Sequence, residues 1–138
     1  MVTEAAGVPV GVAVAGANRN DHLLLAETLA AIVVPRPRPT RTRPQGLCLD
    51  KGYDYASTRA VARRLRLTLH LRTRGEEAQA KRRHPCAKAR RWVVERAHSW
   101  LNRFRRLIVR WEKKASNYAA MLHLACATIV AAQAGLFG

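Results

Sequence analysis

The sequence predicts an α/β domain, and three observations carry that prediction. Short runs rich in β-branched and alternating apolar residues recur at 7–14, 47–49 and 67–71 and read as strands. Between them lie segments with helix-starting residues and helical spacing. Near the C-terminus, Val93, Ala97, Trp100, Phe104, Leu107, Ile108 and Trp111 step by three or four residues. At about 100° per residue they share one helical face.

In chain order, Gly7-Val8-Pro9-Val10-Gly11-Val12-Ala13-Val14 is the first strand, and Gly16-Ala17-Asn18 turns it. Asn20 or Asp21 is placed to cap a helix through Leu23, Leu24, Glu27 and Leu29 to about Val33. Four prolines (Pro35, Pro37, Pro39, Pro44) then forbid a helix or a central strand, so 35–46 reads as an extended basic loop. Leu47-Cys48-Leu49 is a strand ending at Asp50, and Gly52 follows as a turn residue. A charge at a strand end is ordinary, yet open α/β sheets also put their functional groups there. Asp54 reads as a turn or capping residue, and Ser57 or Thr58 leads into a helix over about 56–66. Residues 67–71 alternate as a strand, and 72–89 reads as a polar, basic loop. On the long C-terminal stripe, Glu95 lies nearly opposite the apolar face, with Arg91 one turn before it. As a surface pair these contribute a few tenths of a kcal/mol.

Charge narrows the function. The net charge is +16, and it is unevenly placed. Residues 1–35 hold one base, Arg19, against three acids, whereas 36–114 hold 24 bases against 6 acids. An arginine-dominated block of this kind attracts a polyanion, and nucleic acid is the commonest one. Cys48, Cys86 and Cys126 form no C-x-x-C pair, which argues against a structural zinc site and fits a reducing compartment. The first residues lack the basic and apolar regions of a signal peptide. Residues 115–138 carry no charge and have the length of a membrane span. Ser116, Asn117, His123 and Gln133, with alanine rather than leucine dominating, favour a buried C-terminal helix instead.

Several blocks occur together in one order: Gly16-Ala17-Asn18-Arg19-Asn20-Asp21; Leu49-Asp50-Lys51-Gly52-Tyr53-Asp54; Arg91-Trp92-Val93-Val94-Glu95-Arg96; Trp100-Leu101-Asn102-Arg103-Phe104-Arg105-Arg106-Leu107; and Asn117-Tyr118 with His123-Leu124-Ala125. This set resembles the C-terminal part of a DDE transposase of the bacterial insertion-sequence-five group. The resemblance implies a ribonuclease-H-like catalytic domain, here incomplete and lacking its first two strands, with long C-terminal helices. Residues 1–138 would be the C-terminal part of that domain, with the basic Pro-rich loop at 35–46.

The same resemblance implies Asp50 as the second catalytic Asp and Glu95 as the catalytic Glu, both holding Mg²⁺ or Mn²⁺ at a DNA phosphate. Arg91 matches the arginine that commonly precedes that Glu. Lys88 stands where the family often has Tyr, and Asn102 where it often has a base. Expected DNA contacts are Arg36, Arg38, Arg41 and Arg43 in the loop, and Lys88, Arg91, Arg103 and Arg106 along the helical region. The family's first catalytic Asp has no counterpart here, which implies a truncated transposase or the second frame of a split element, inactive alone. Its strand 7–14 would then lack its usual neighbour, leaving residues 1–20 partly disordered or driving self-association. The implied partners are transposon-end and target DNA, an upstream segment or full-length transposase, and further copies of the chain. No membrane is implied, and the location is cytoplasmic, at the nucleoid. Two other classes need the basic block but neither acid: a non-catalytic DNA-binding or inhibitory protein derived from a transposase, and a basic nucleoid- or ribosome-associated protein.

Overall fold

The structure is a computed structural model that describes residues 1–71 and 92–136. The loop expected over 72–89 lies outside the described residues, as do Lys88 and Arg91. The described chain is a mixed α/β structure that divides into two units: residues 1–16, 27–35 and 92–136 in the first, 17–26 and 36–71 in the second.

The first unit opens with an antiparallel hairpin of β1 (Val2–Thr3) and β2 (Pro9–Gly11). Glu4 builds its turn. Its Oε1 accepts from the N–H groups of Ala6 at 2.8 Å and Val8 at 3.0 Å. Gly7 sits at φ +92°, and a Cβ there would lie 3.0 Å from the Val93 carbonyl oxygen, so this turn requires glycine. The strand expected over 7–14 is therefore shorter and has a partner that the expectation did not provide. Past β2, the Val33 N–H donates to the Val10 carbonyl at 3.2 Å.

The helix expected from Asn20 to Val33 is a 3₁₀ turn (Asp21–Leu24) followed by the short α1 (Leu25–Ala30). Asn20 occupies the cap position, but its side chain makes no capping bond. The single helical stripe expected through Trp111 is also corrected. It is two helices, α3 (Trp92–Leu101) and α4 (Arg105–Ile108), separated where Phe104 turns extended at φ −92°, ψ 94°. Ala97 is fully buried on α3, but Ile108 and Trp111 beyond the break are exposed.

The C-terminal helix α5 (Ala115–Gln133) exists, but it is not the buried helix expected. Ala125 and Ile129 are buried; Leu124 and Val130 are exposed. One side packs on β2, α3 and α4, and the described residues leave the other side uncovered. Among them it is also the one helix long and apolar enough to cross a membrane by length and composition.

The second unit is a βαβ unit. Strands β3 (Gln45–Leu49) and β4 (Leu67–Leu71) pair in parallel, with Gln45 opposite Leu67 and Leu49 opposite Leu71. Helix α2 (Ala56–Arg64) makes the crossover, as parallel pairing demands. Leu47 is buried on β3, and Thr58 and Ala62 on α2. The strand starts at Gln45 rather than Leu47; Gly46 leaves room for the His70 ring, which a Cβ would meet at 2.8 Å. Residues 35–44 carry no helix or strand, as the prolines require.

Candidate functional site

Asp50 follows β3 at the C-terminal edge of the parallel pair. Its backbone stays extended (φ −82°, ψ 177°), and it caps a one-turn 3₁₀ helix, Lys51–Tyr53. Oδ1 accepts from the Gly52 N–H at 2.9 Å. Among the described residues Oδ2 has no hydrogen-bond or ion-pair partner, and the side chain is exposed. Glycine at 52 serves proximity rather than a left-handed turn: a Cβ would come 3.1 Å from Asp50 Oδ1.

Residues outside the strand complete the surroundings of Asp50. The His22 and Tyr55 rings stack with centroids 3.8 Å apart and planes 18° apart, joining the 3₁₀ turn at 21–24 to the start of α2. That places Asp21 near Tyr53. Burial pushes the Tyr53 hydroxyl above its ordinary value near 10.0, and the charges of Asp21 and then Asp50 push it further. Asp21, His22 and Tyr55 were not singled out from sequence as neighbours of Asp50. The signal that could have found them was the co-occurrence of the Asp21 and Asp50 blocks.

Asp54, expected as a turn or capping residue, is the C-cap of the 3₁₀ turn Lys51–Tyr53, its N–H donating to the Lys51 carbonyl at 3.2 Å, and its side chain pairs with Arg59 one turn into α2, whose own N-cap is Tyr55. Glu95 is exposed in the first turn of α3, where a helix N-terminus favours an acid. It has no ion-pair partner among the described residues. Asp50 belongs to the second unit and Glu95 to the first.

Among the expected DNA contacts, Arg38, Arg41, Arg43 and Arg103 are exposed. Arg36 is exposed too, but its Nη2 donates to the Leu65 carbonyl at 2.9 Å. Arg106 is held 3.2 Å from the largely buried Glu112 carboxylate, which offsets its charge. Lys88 and Arg91 lie outside the described residues.

No group of three or more His, Cys, Asp or Glu that could hold a metal gathers among the described residues. The donor chemistry at Asp50 nevertheless suits a hard cation: one carboxylate oxygen is fixed by Gly52 and the other has no partner among the described residues.

A family model described as "Transposase DDE domain" matches residues 47–131. The chain belongs to that DDE transposase family. The matched stretch contains both Asp50 and Glu95. The chain is also 39% identical, over 137 residues, to a Burkholderia cepacia protein assigned as the transposase for insertion sequence element IS402. The alignment covers 94% of this chain and 60% of that relative, so the chain spans less than two thirds of the relative's length. No solved structure matches the chain.

Proposed function

We propose that the chain acts in DNA transposition as part of a DDE transposase of the insertion-sequence-five group. Asp50 is the second catalytic Asp in this reading and Glu95 the catalytic Glu. Residues 1–138 form the C-terminal part of a ribonuclease-H-like catalytic domain. The observation that carries the reading is the Asp50 carboxylate. It stands exposed at the C-terminal edge of a parallel βαβ unit, with one oxygen fixed and the other open, in a chain of the DDE transposase family.

Asp50 and Glu95 would hold Mg²⁺ or Mn²⁺, whose chemistry is to stabilise the attacking and leaving oxygens of an in-line phosphoryl displacement. The chain's own parts do the rest. Gly52 fixes the rotamer of Asp50 through its N–H. The His22–Tyr55 stack holds the Asp21 turn beside it. The net charge of +16 draws DNA to the surface. The third carboxylate has no counterpart among these 138 residues and comes from an upstream segment, of the same polypeptide or another.

Strand transfer is the test. Residues 1–138 alone are expected to transfer DNA strands at background, in Mg²⁺ or Mn²⁺. Adding an upstream segment that carries the missing strands and their Asp should restore transfer, and Glu95→Gln should abolish the restored activity while DNA binding stays nearly intact. Restored transfer that survives Glu95→Gln, or that needs no divalent ion, contradicts the proposal. A non-catalytic DNA-binding role predicts binding without transfer under every condition.

A further inference from the structure

The second unit is electrically divided along its strands. Its three described acids, Asp21, Asp50 and Asp54, lie at the edge where β3 ends. Asp21 and Asp50 both act on Tyr53, and Asp54 follows directly. Arg59 is taken up there by Asp54. Among the described residues the opposite edge has no acid. None occurs between Pro35 and Leu49 or between Tyr55 and Leu71.

Topology brings two separate basic segments to that opposite edge. A crossover helix runs against its strands, so α2 ends where β4 begins. Leu67, the first residue of β4, pairs with Gln45, the first residue of β3. Arg63, Arg64 and Arg66 at the end of α2 therefore sit beside the start of β3, where the Pro-rich loop also arrives. The loop is tied down there. Arg36 donates to the Leu65 carbonyl at 2.9 Å, and Gln45 Nε2 donates to the Pro37 carbonyl at 2.8 Å. A bond from the Thr40 N–H to the Arg43 carbonyl closes its tip, which carries Arg41 beside the exposed Arg38 and Arg43. All these arginines are exposed.

Arg66 supplies an independent observation. It has φ +53°, and among the described residues it is the one non-glycine with positive φ. A helix end of this shape favours glycine, because an L side chain is strained there. A cationic side chain is thus held at a position where glycine would suit the backbone better, and strain of this kind points to a functional site.

We propose that Arg63, Arg64 and Arg66, together with the anchored loop, form a backbone-binding surface for duplex DNA, distinct from the edge that carries Asp50. The five residue steps from Gln45 to Asp50 separate the two edges by about 16 Å, at ~3.3 Å per step. That is close to the axial length of five base pairs at ~3.4 Å each. The surface grips phosphates away from the reacting one and carries no base-reading requirement. This inference rests on the transposase reading for its choice of DNA as the polyanion.

Equilibrium binding of the full chain to a mixed-sequence duplex, between about 50 and 200 mM salt, tests it. R63A/R64A is expected to weaken binding at least tenfold and to flatten the log–log salt dependence by between about 1 and 2, since each lost phosphate contact removes roughly 0.9. R66G should flatten it by about 1 and, by relieving the left-handed residue, raise the melting temperature. Arg59→Ala, which disturbs the acidic edge only, should leave the slope alone. If the parent binds DNA steeply and R63A/R64A and R66G bind just as tightly with the same slope, the inference falls and the transposase reading stands. If the parent binds no DNA, both fall. A loss seen on duplex RNA and not on DNA also overturns the proposal.

Discussion

In the proposed reading Asp50 serves both structure and chemistry. Oδ1 closes the 3₁₀ turn through the Gly52 N–H, and this alone explains an Asp at the position. Partial burial, with the charges of Asp21 and Asp50, gives Tyr53 a measurable property. It is half-buried and feels the charges of two acids, so its pKa is raised in the folded chain. The folded state then holds the phenolic proton more tightly than the unfolded state does. That contribution is fully present below the ordinary tyrosine value near 10 and is lost as pH rises from there through the folded value. Spectrophotometric titration should find one tyrosine ionising above the other two, and Tyr53→Phe should remove that step and reduce the alkaline loss of stability. A Tyr53 that titrates at the ordinary value would mean that it is neither half-buried nor flanked by Asp21 and Asp50.

At the scale of elements, α5 gives the clearest contrast. It is apolar along its whole length, and such a helix reads as buried. Only one side packs, through Ala125 and Ile129. Ile129→Ala should therefore cost about 2–4 kcal/mol of unfolding free energy, and Leu124→Ala, 60% exposed, within about 0.5 kcal/mol; chemical denaturation of the two variants measures both. Equal costs would place Leu124 in a core. The elements that the sequence made legible are those whose signals are local: alternation over 67–71, the helix between Ser57 and Arg64, and the prolines at 35, 37, 39 and 44. What stayed illegible depends on distant partners. The two-residue β1 is too short to carry a pattern, and its pairing depends on Glu4 and on Gly7 meeting α3. The stripe from Val93 to Trp111 keeps its period through Phe104, with no Gly or Pro to mark the break, so periodicity alone could not separate α3 from α4.

For the whole molecule, composition revealed that the chain is basic but not where the charge acts. Spread along the sequence, Arg36 to Arg43 and Arg63 to Arg66 are two unrelated clusters. The parallel pairing of β3 and β4 makes them one edge and puts Asp50 at the other. Asp50 itself was legible through its motif, DKGYD, although the residues around it were not, because Asp21 and His22 reach it only through folding. In the proposed function Asp50, and not its neighbour Asp54, is a catalytic metal ligand. The two acids stand four residues apart and differ in their surroundings: Asp54 is paired with Arg59, and Asp50 has an open oxygen. The most direct measurement compares Asp50→Asn with Asp54→Asn in strand transfer restored by the upstream segment, with DNA binding followed in parallel. Asparagine keeps the shape and the turn-closing acceptor of Asp50 but loses the charge that a hard cation needs. Asp50→Asn is expected to abolish transfer with binding nearly intact, while Asp54→Asn retains most of it. Transfer that survives Asp50→Asn would contradict that assignment.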